Sequence, residues 1–213
     1  MGTFEQGYMG PFRGKLGTAV GSRWKGLYVL RSRPPRKRSG PASESQLEVQ
    51  AKFLLMTKFL RSLTDLLNQT FKKSAVNMSG ANKAFAENKK AVTGAYPDFT
   101  IDYAKVILST GNFDNAGGPA AKSAEAGKLV FTWTDNSKAN RKTLISDLAF
   151  VAAYSEELNS WIFEPKAATR NAGTCTLDVA EFSGKPVQTY IGFMSADGKK
   201  VSTSLFTGAV NVL

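Results

Sequence analysis

The sequence predicts an α+β protein in three parts: a basic, glycine-rich β arm and linker over residues 1–42, a helical segment over 43–96, and an antiparallel β-sandwich over 97–213. Three observations carry this division. Seven glycines fall within the first 34 residues, an apolar stripe at three- and four-residue steps runs from Val49 to Phe71, and short β-rich runs separated by turn signals follow Phe99. The first is incompatible with a stable helix, the second requires one, and the third fits strands of period two.

In the arm, Gly7, Gly10, Gly14, Gly17 and Gly21 have a spacing that would line one helix face. Each interior glycine costs roughly 1 kcal/mol against alanine, so five exclude an isolated helix. Short strands are expected instead, with "TAVGSRW" and "LYVLRS" pairing around Lys25 and Gly26. "RPPRKRSGPAS" reads as a linker, because its prolines disfavour helix and its like charges resist collapse.

A helix is expected from Ser43 to Lys73, with Ser43 and Gln46 at capping-box spacing. Val49, Phe53, Met56, Leu60, Leu63, Leu67 and Phe71 form its inner stripe, widened by Phe59 and Leu66, while Lys52, Lys58, Arg61 and Asp65 take the wetter side. A second helix is expected over Gly80–Val92, burying Ala81, Ala84, Phe85, Asn88 and Val92 and ending at Gly94 and Pro97.

Beyond Phe99, "FTIDYAKVILS" alternates as a half-buried strand does, and "GNFDNAGGPAAK" reads as a glycine-rich loop. "KLVFTWT", "LAFVAAY", "WIF", "TCTLDV", "VQTYIGFM" and "SLFTGAVNV" supply six more strands, broken by turns such as Asp135-Asn136 and Asp197-Gly198. That number of short strands predicts a sandwich of the immunoglobulin or fibronectin type III kind.

Little in the chain points to catalysis. With no histidine, the commonest general base and metal ligand is missing. Cys175, the only cysteine, excludes an intrachain disulfide and falls in an expected strand, where a buried, inert thiol is the expected reading. Glu156 and Glu157 read as solvated turn charges. "GPFRGK" and "GGPAAKS" both lack the spacing of a phosphate-binding loop. Asp98, Asp102 and Asp135 have no spacing that demands a cation, so neither catalytic residue, cofactor nor metal is assigned. With neither a signal-peptide pattern nor a long apolar run, the expectation is a soluble chain made in the cytoplasm, without membrane insertion.

The charge is concentrated in the arm. Of the formal net charge of +11, the first 40 residues contribute +8, from nine Lys/Arg against one acidic residue. Arg13, Lys15, Arg23, Lys25, Arg31, Arg33, Arg36, Lys37 and Arg38, with Trp24 and Tyr28 among them, are the candidate contact residues. Two partners compete for them. As a nucleic-acid arm they would follow phosphates without sequence readout, and neutralising about six phosphates would make affinity fall about a thousandfold between 50 and 200 mM salt. As an assembly arm, the same glycines allow close backbone approach, while Phe4, Tyr8, Phe12, Trp24, Tyr28, Val29 and Leu30 lack a local core and must pack against the body or another subunit, or stay exposed at a cost on the order of 2 kcal/mol each. Assembly into a homo-oligomeric or larger particle is the preferred reading, and nucleic-acid binding is the alternative.

Over "GKLGTAVGSRWKGLYVLRSRP", "SQLEVQAKF", "AVTGAYPDFTIDYAKVILSTG", "FTWTDN" and "YIGFMSADGKKVSTSLFTGAV", the chain resembles a family of uncharacterised proteins from Bacteroidota, a domain of unknown function that implies no activity. "LVFTWT" with Trp133 and "VQTYIGFMSADGKKVS" with Tyr190 look like a B strand and an F–G hairpin of fibronectin type III modules, which implies core packing for both aromatics. The order of basic arm, capped helix and β-rich end is also similar in layout to small phage or prophage virion proteins, which implies a virion, tail or filament component.

Overall fold

Gly17 (φ 57°) and Gly26 (φ 88°) adopt the left-handed backbone that a residue with a Cβ rarely takes, and each turns one strand back on the next. The strands they join are β2 (Gly14–Leu16), β3 (Ala19–Trp24) and β4 (Leu27–Ser32); β1 (Gly2–Thr3) completes a four-stranded antiparallel sheet of order β1-β4-β3-β2. The hairpin around Gly26 is the one expected from sequence. The structure is a computed structural model that describes residues 2–3, 12–24, 26–33, 41–137 and 143–213. It divides into two units, Met1–Ser43 and Glu44–Leu213.

The second unit opens with α1 (Glu44–Leu60), a 3-10 turn (Arg61–Leu63) and α2 (Thr64–Thr70), so the single helix expected to Lys73 is interrupted near its middle. The interruption leaves the inner stripe intact where it meets the body: Met56, Phe59, Leu60, Leu63, Leu66, Leu67 and Phe71 are all buried. Val49 and Phe53, two turns earlier on that stripe, are 67% and 57% exposed. The last helix, α3 (Gly80–Asn88), starts at Ser79, whose Oγ accepts the Asn82 N–H at 3.1 Å. Buried Asn88 then uses its whole amide: Nδ2 donates to the Ala84 and Ile107 carbonyls, and Oδ1 accepts the Ile107 N–H at 2.7 Å.

Three local expectations are corrected. The second helix stops before Val92, which begins β5 (Val92–Ala95); this pairs with β6 (Asp98–Ile101), so Gly94 belongs to a hairpin and not to a helix end. The run after Phe99 is not one strand, because Tyr103–Lys105 forms a 3-10 turn that brings the Tyr103 ring beside Phe59. Much of the expected loop at 111–122 is strand β7 (Gly117–Glu125). Pro119 survives there because the register shifts between Gly117 and Ala120 on an edge strand, where no ladder N–H is required of it.

The remaining strands start close to their expected positions: β8 (Lys128–Thr134), β9 (Leu148–Ser155), β10 (Ser160–Thr169), β11 (Thr174–Asp178), β12 (Pro186–Met194) and β13 (Leu205–Asn211), although β10 runs six residues past the expected "WIF". They form two antiparallel sheets, ordered β10-β9-β12-β13 and β11-β8-β7. The architecture is therefore mixed α+β with mostly antiparallel sheets.

β9 explains how the layers join. Nearly all of it is buried, because alternate residues serve two cores. Phe150, Ala152 and Tyr154 join the helical residues Met56, Phe59 and Leu63, whereas Ala149, Val151 and Ala153 join Leu129, Phe131 and Trp133 of the second sheet. Tyr190 and Phe193 of β12 divide in the same way. Both Trp133 and Tyr190 are thus core residues, Trp133 in the cluster between the two sheets and Tyr190 in the one under the helices. Gly192 makes room on the helical face, where an added Cβ would lie 2.3 Å from Phe150 Cζ. The boundary expected near residue 96 does not separate two units, since the helices close one face of the sheet and belong with it in 44–213.

Among the described residues, Arg170 is the largest fully buried side chain. Its Nη1 donates to Asn136 Oδ1 at 2.7 Å, its Nη2 to the Asp114 carbonyl at 2.8 Å, and its Nε lies 3.5 Å from Asp147 Oδ2, an ion pair without a hydrogen bond. The guanidinium sits 4.5 Å over the Phe193 ring. Burial pulls its pKa down, and Asp147, Asp135 and Asp114 oppose that pull.

Candidate interaction surfaces

Strand register sorts the side chains of the N-terminal sheet, since directly paired residues share a face. Lys15, Val20, Ser22, Trp24, Leu27, Val29 and Arg31 lie on one side. Leu16, Ala19, Gly21, Arg23, Tyr28 and Leu30 lie on the other, where the Phe12 ring covers Gly21 so closely that a Cβ there would meet it at 2.9 Å. Each face is therefore both apolar and cationic. Leu16 is 59% and Trp24 54% exposed, and Leu27 and Leu30 are also exposed.

The structure thus brings the candidate residues together in one small sheet but not on one track. Lys15, Trp24 and Arg31 share a face. Arg23 and Tyr28 share the opposite one, with the guanidinium carbon 5.3 Å from the ring centroid. Arg13 is exposed just before β2, and exposed Arg33 follows β4, its N–H donating to the Thr18 carbonyl at 2.7 Å. Lys25, Arg36, Lys37 and Arg38 lie outside the described residues. A continuous strip of cations and aromatics on one face, which the phosphate-tracking alternative uses, is not what the described residues form.

A second surface was not picked out from sequence. The end of α2, the loop at Thr110–Phe113 and the turn at Asp197–Val201 surround an open cavity of about 1010 Å³. Lys72, Lys73, Lys199 and Lys200 line it, against one carboxylate, Asp197. The turn is built to hold its lysines in place. Ser195 Oγ donates to Asp197 Oδ1 at 2.6 Å, the Lys199 N–H donates to the same oxygen at 3.0 Å, and Gly198 takes a φ of 67°. These bonds, with the Lys199 ammonium nearby, push the Asp197 carboxyl down to about 2. On the cavity wall, the Gly111 backbone packs against the Val201 carbonyl, 2.0 Å from where a Cβ would stand. The sequence signal was the pair of adjacent lysines in each segment, but only the fold brings the two pairs together.

The residues considered for catalysis are not gathered. Cys175 is buried in β11, and burial pushes its thiol up to about 12. Glu157 pairs with Lys185 at 2.6 Å and Asp102 with Lys105 at 2.7 Å, while Asp135 belongs with Arg170. Among the described residues, no group of three Cys, Asp or Glu has the arrangement of a metal site. No helix of the described residues is long and apolar enough to cross a membrane.

Comparisons with known proteins add a family and little else. No curated protein matches the chain. A solved structure described as titin kinase and its flanking domains is similar at 14% identity, over 46% of this chain and 16% of that one, with a TM-score of 0.31, a likeness that carries no argument. A family model described as a family of unknown function (DUF6266) matches residues 11–208, and the chain belongs to that family.

Proposed function

We propose that the protein is a non-enzymatic structural subunit of a larger homo-oligomeric assembly, such as a particle, tail or filament, with the N-terminal sheet at the subunit contacts. One observation carries this reading: both faces of that sheet present large apolar side chains, with Leu16, Trp24, Leu27 and Leu30 exposed. Burying each such side chain is worth about 1.5–3 kcal/mol, gained only where a second layer covers the face. A copy of the same sheet supplies one, and glycine-rich strands let two backbones approach closely. In the second unit, the two sheets share one apolar cluster, which supports reading them as a sandwich of the immunoglobulin or fibronectin type III kind. The absence of histidine from the sequence and the buried, hard-to-ionise Cys175 favour a non-catalytic role.

The test is substitution of Trp24 and Leu30, one on each face, by serine in the full chain. Sedimentation velocity is expected to show smaller species with unchanged circular dichroism of the body. Undiminished oligomers would reject the sheet as the contact. The nucleic-acid alternative retains the exposed Arg13, Lys15, Arg23, Arg31 and Arg33 in its favour. It requires oligonucleotide binding with a steep salt slope that is lost when these are changed to glutamine.

A further inference from the structure

The four-stranded sheet of the second unit has two chemically different ends. β9 and β12 run antiparallel, with Leu148 opposite Met194 at one end and Ser155 opposite Val187 at the other. The lysine cavity lies beyond Met194, in the turn that follows β12. Beyond Ser155 and Val187 lies the opposite end. There the Val179 N–H donates to the Gly127 carbonyl, the Gly127 N–H to the Leu213 carbonyl and the Gly184 N–H to the Val212 carbonyl.

This opposite end is acidic. It carries Glu125, Glu156, Glu157, Asp178 and Glu181, all exposed. Lys128 and Lys185 are its cations, each already engaged, with Glu125 and Glu157 respectively at 2.6 Å. The cavity carries the reverse imbalance, four lysines against Asp197. Asp114, Asp135 and Asp147 sit near it but surround the guanidinium of Arg170.

We infer that the lysine cavity of one chain receives the acidic end of a second copy, so that chains join end to end. Charge complementarity selects this occupant. The acidic end presents a single-turn corner, Ala180–Phe182, with Glu181 on it and Asp178 at the end of the strand before it, and the cavity is an open recess with cations from both walls. Lysine ammoniums are point charges suited to carboxylates that approach from varied angles. The cavity wall includes Phe113, which is buried and offers no stacking platform of the kind a single-stranded nucleic acid uses. Because the two surfaces differ, the contact is heterologous and propagates into a ring or a filament. The inference rests on the assembly reading above and adds a second contact to it, remote in sequence from the N-terminal sheet.

The experiment uses the full chain in two charge-reversed forms. One carries Lys199→Glu and Lys200→Glu, the other Glu157→Lys and Glu181→Lys, and light scattering over a concentration series reads their association. Each form alone is expected to associate at least about tenfold more weakly than the wild type, through like-charge repulsion at the contact. Mixing them is expected to restore association, because every contact in an alternating chain is again opposite in sign. Failure of the mixture to recover, or a Lys199/Lys200 form that associates like the wild type, overturns the inference. So does loss of binding to a fluorescent single-stranded oligonucleotide by that form with its association unchanged, which would make the cavity a polyanion site. Removal of residues 1–43 separates this inference from the assembly reading. Oligomers lost on removal but indifferent to cavity charge overturn the end-to-end contact alone. Charge-dependent association that survives removal supports the end-to-end contact, and it counts against the N-terminal sheet only if the assemblies are as large as those of the full chain.

Discussion

The indole N–H of Trp161 donates to the Phe59 carbonyl at 2.7 Å, and the two rings meet edge to face with centroids 5.0 Å apart. One side chain of β10 thereby holds the last turn of α1, where carbonyls run out of helical partners. Helix and sheet are bound into one folding unit by this contact and by the surrounding aromatic group of Tyr103, Tyr154 and Tyr190. Trp161→Phe keeps a ring and loses the hydrogen bond, and is expected to cost about 1–2 kcal/mol. Urea unfolding followed by far-ultraviolet circular dichroism and by tryptophan fluorescence is expected to give one shared midpoint. Separate midpoints would mean that the helices and the sheets unfold independently.

Arg170 and Asp147 form a buried ion pair in the second unit. Removing Asp147 takes away the carboxylate ion-paired with a fully buried guanidinium and leaves only Asp135 and Asp114 to offset its burial, so Asp147→Ala is expected to destabilise by about 3–5 kcal/mol. Adding Arg170→Met to that variant removes the stranded charge, and is expected to recover part of the loss. A double variant less stable than Asp147→Ala would show that the hydrogen bonds of Arg170 to Asn136 and Asp114 outweigh the charge.

Asp197 ties acid sensitivity to the lysine cavity. Its folded-state pKa, about 2, lies below the ordinary value of 3.8, so its contribution to the turn is fully present above about pH 4. That contribution is lost as pH falls through 2. The Lys199 amide resonance, whose N–H bonds the carboxylate, is expected to titrate with a midpoint near 2. A midpoint near 3.8 would mean that the turn is open in solution.

Cys175 is expected to be silent in the native chain. Its thiol is buried and raised from 9.0 to about 12, so it holds almost no thiolate at pH 8. A chromogenic disulfide reagent is expected to react with it only after denaturant is added. Rapid native reaction would place the thiol at the surface.

Much of this was legible in sequence, and the losses have a common cause. The stripe from Met56 to Phe71 and the strands around Trp133, Val151 and Ile191 follow from periodicity, which is local. Periodicity does not say what covers a face. "LAFVAAY" reads as a short apolar run, and only the fold shows that its even-numbered residues meet helices and its odd-numbered ones a second sheet. The partner of Trp161 lies 102 residues away. The glycines of "GNFDNAGGPAAK" argued for a loop, and the register shift that lets β7 run through Pro119 is a property of pairing. The cationic arm was legible as composition, but the division of Arg23 from Arg31 between two faces depends on strand register. Lys72 and Lys199 were unremarkable until the chain brought them to one recess.

Light scattering at equal concentration and moderate salt, on the full chain and on residues 44–213, weighs the N-terminal sheet as a subunit contact. The account predicts oligomers for the full chain, and for the shorter one a folded body with the N-terminal contact gone and its assemblies smaller. A full chain that is strictly monomeric, or a shorter one whose assemblies are just as large, would contradict it.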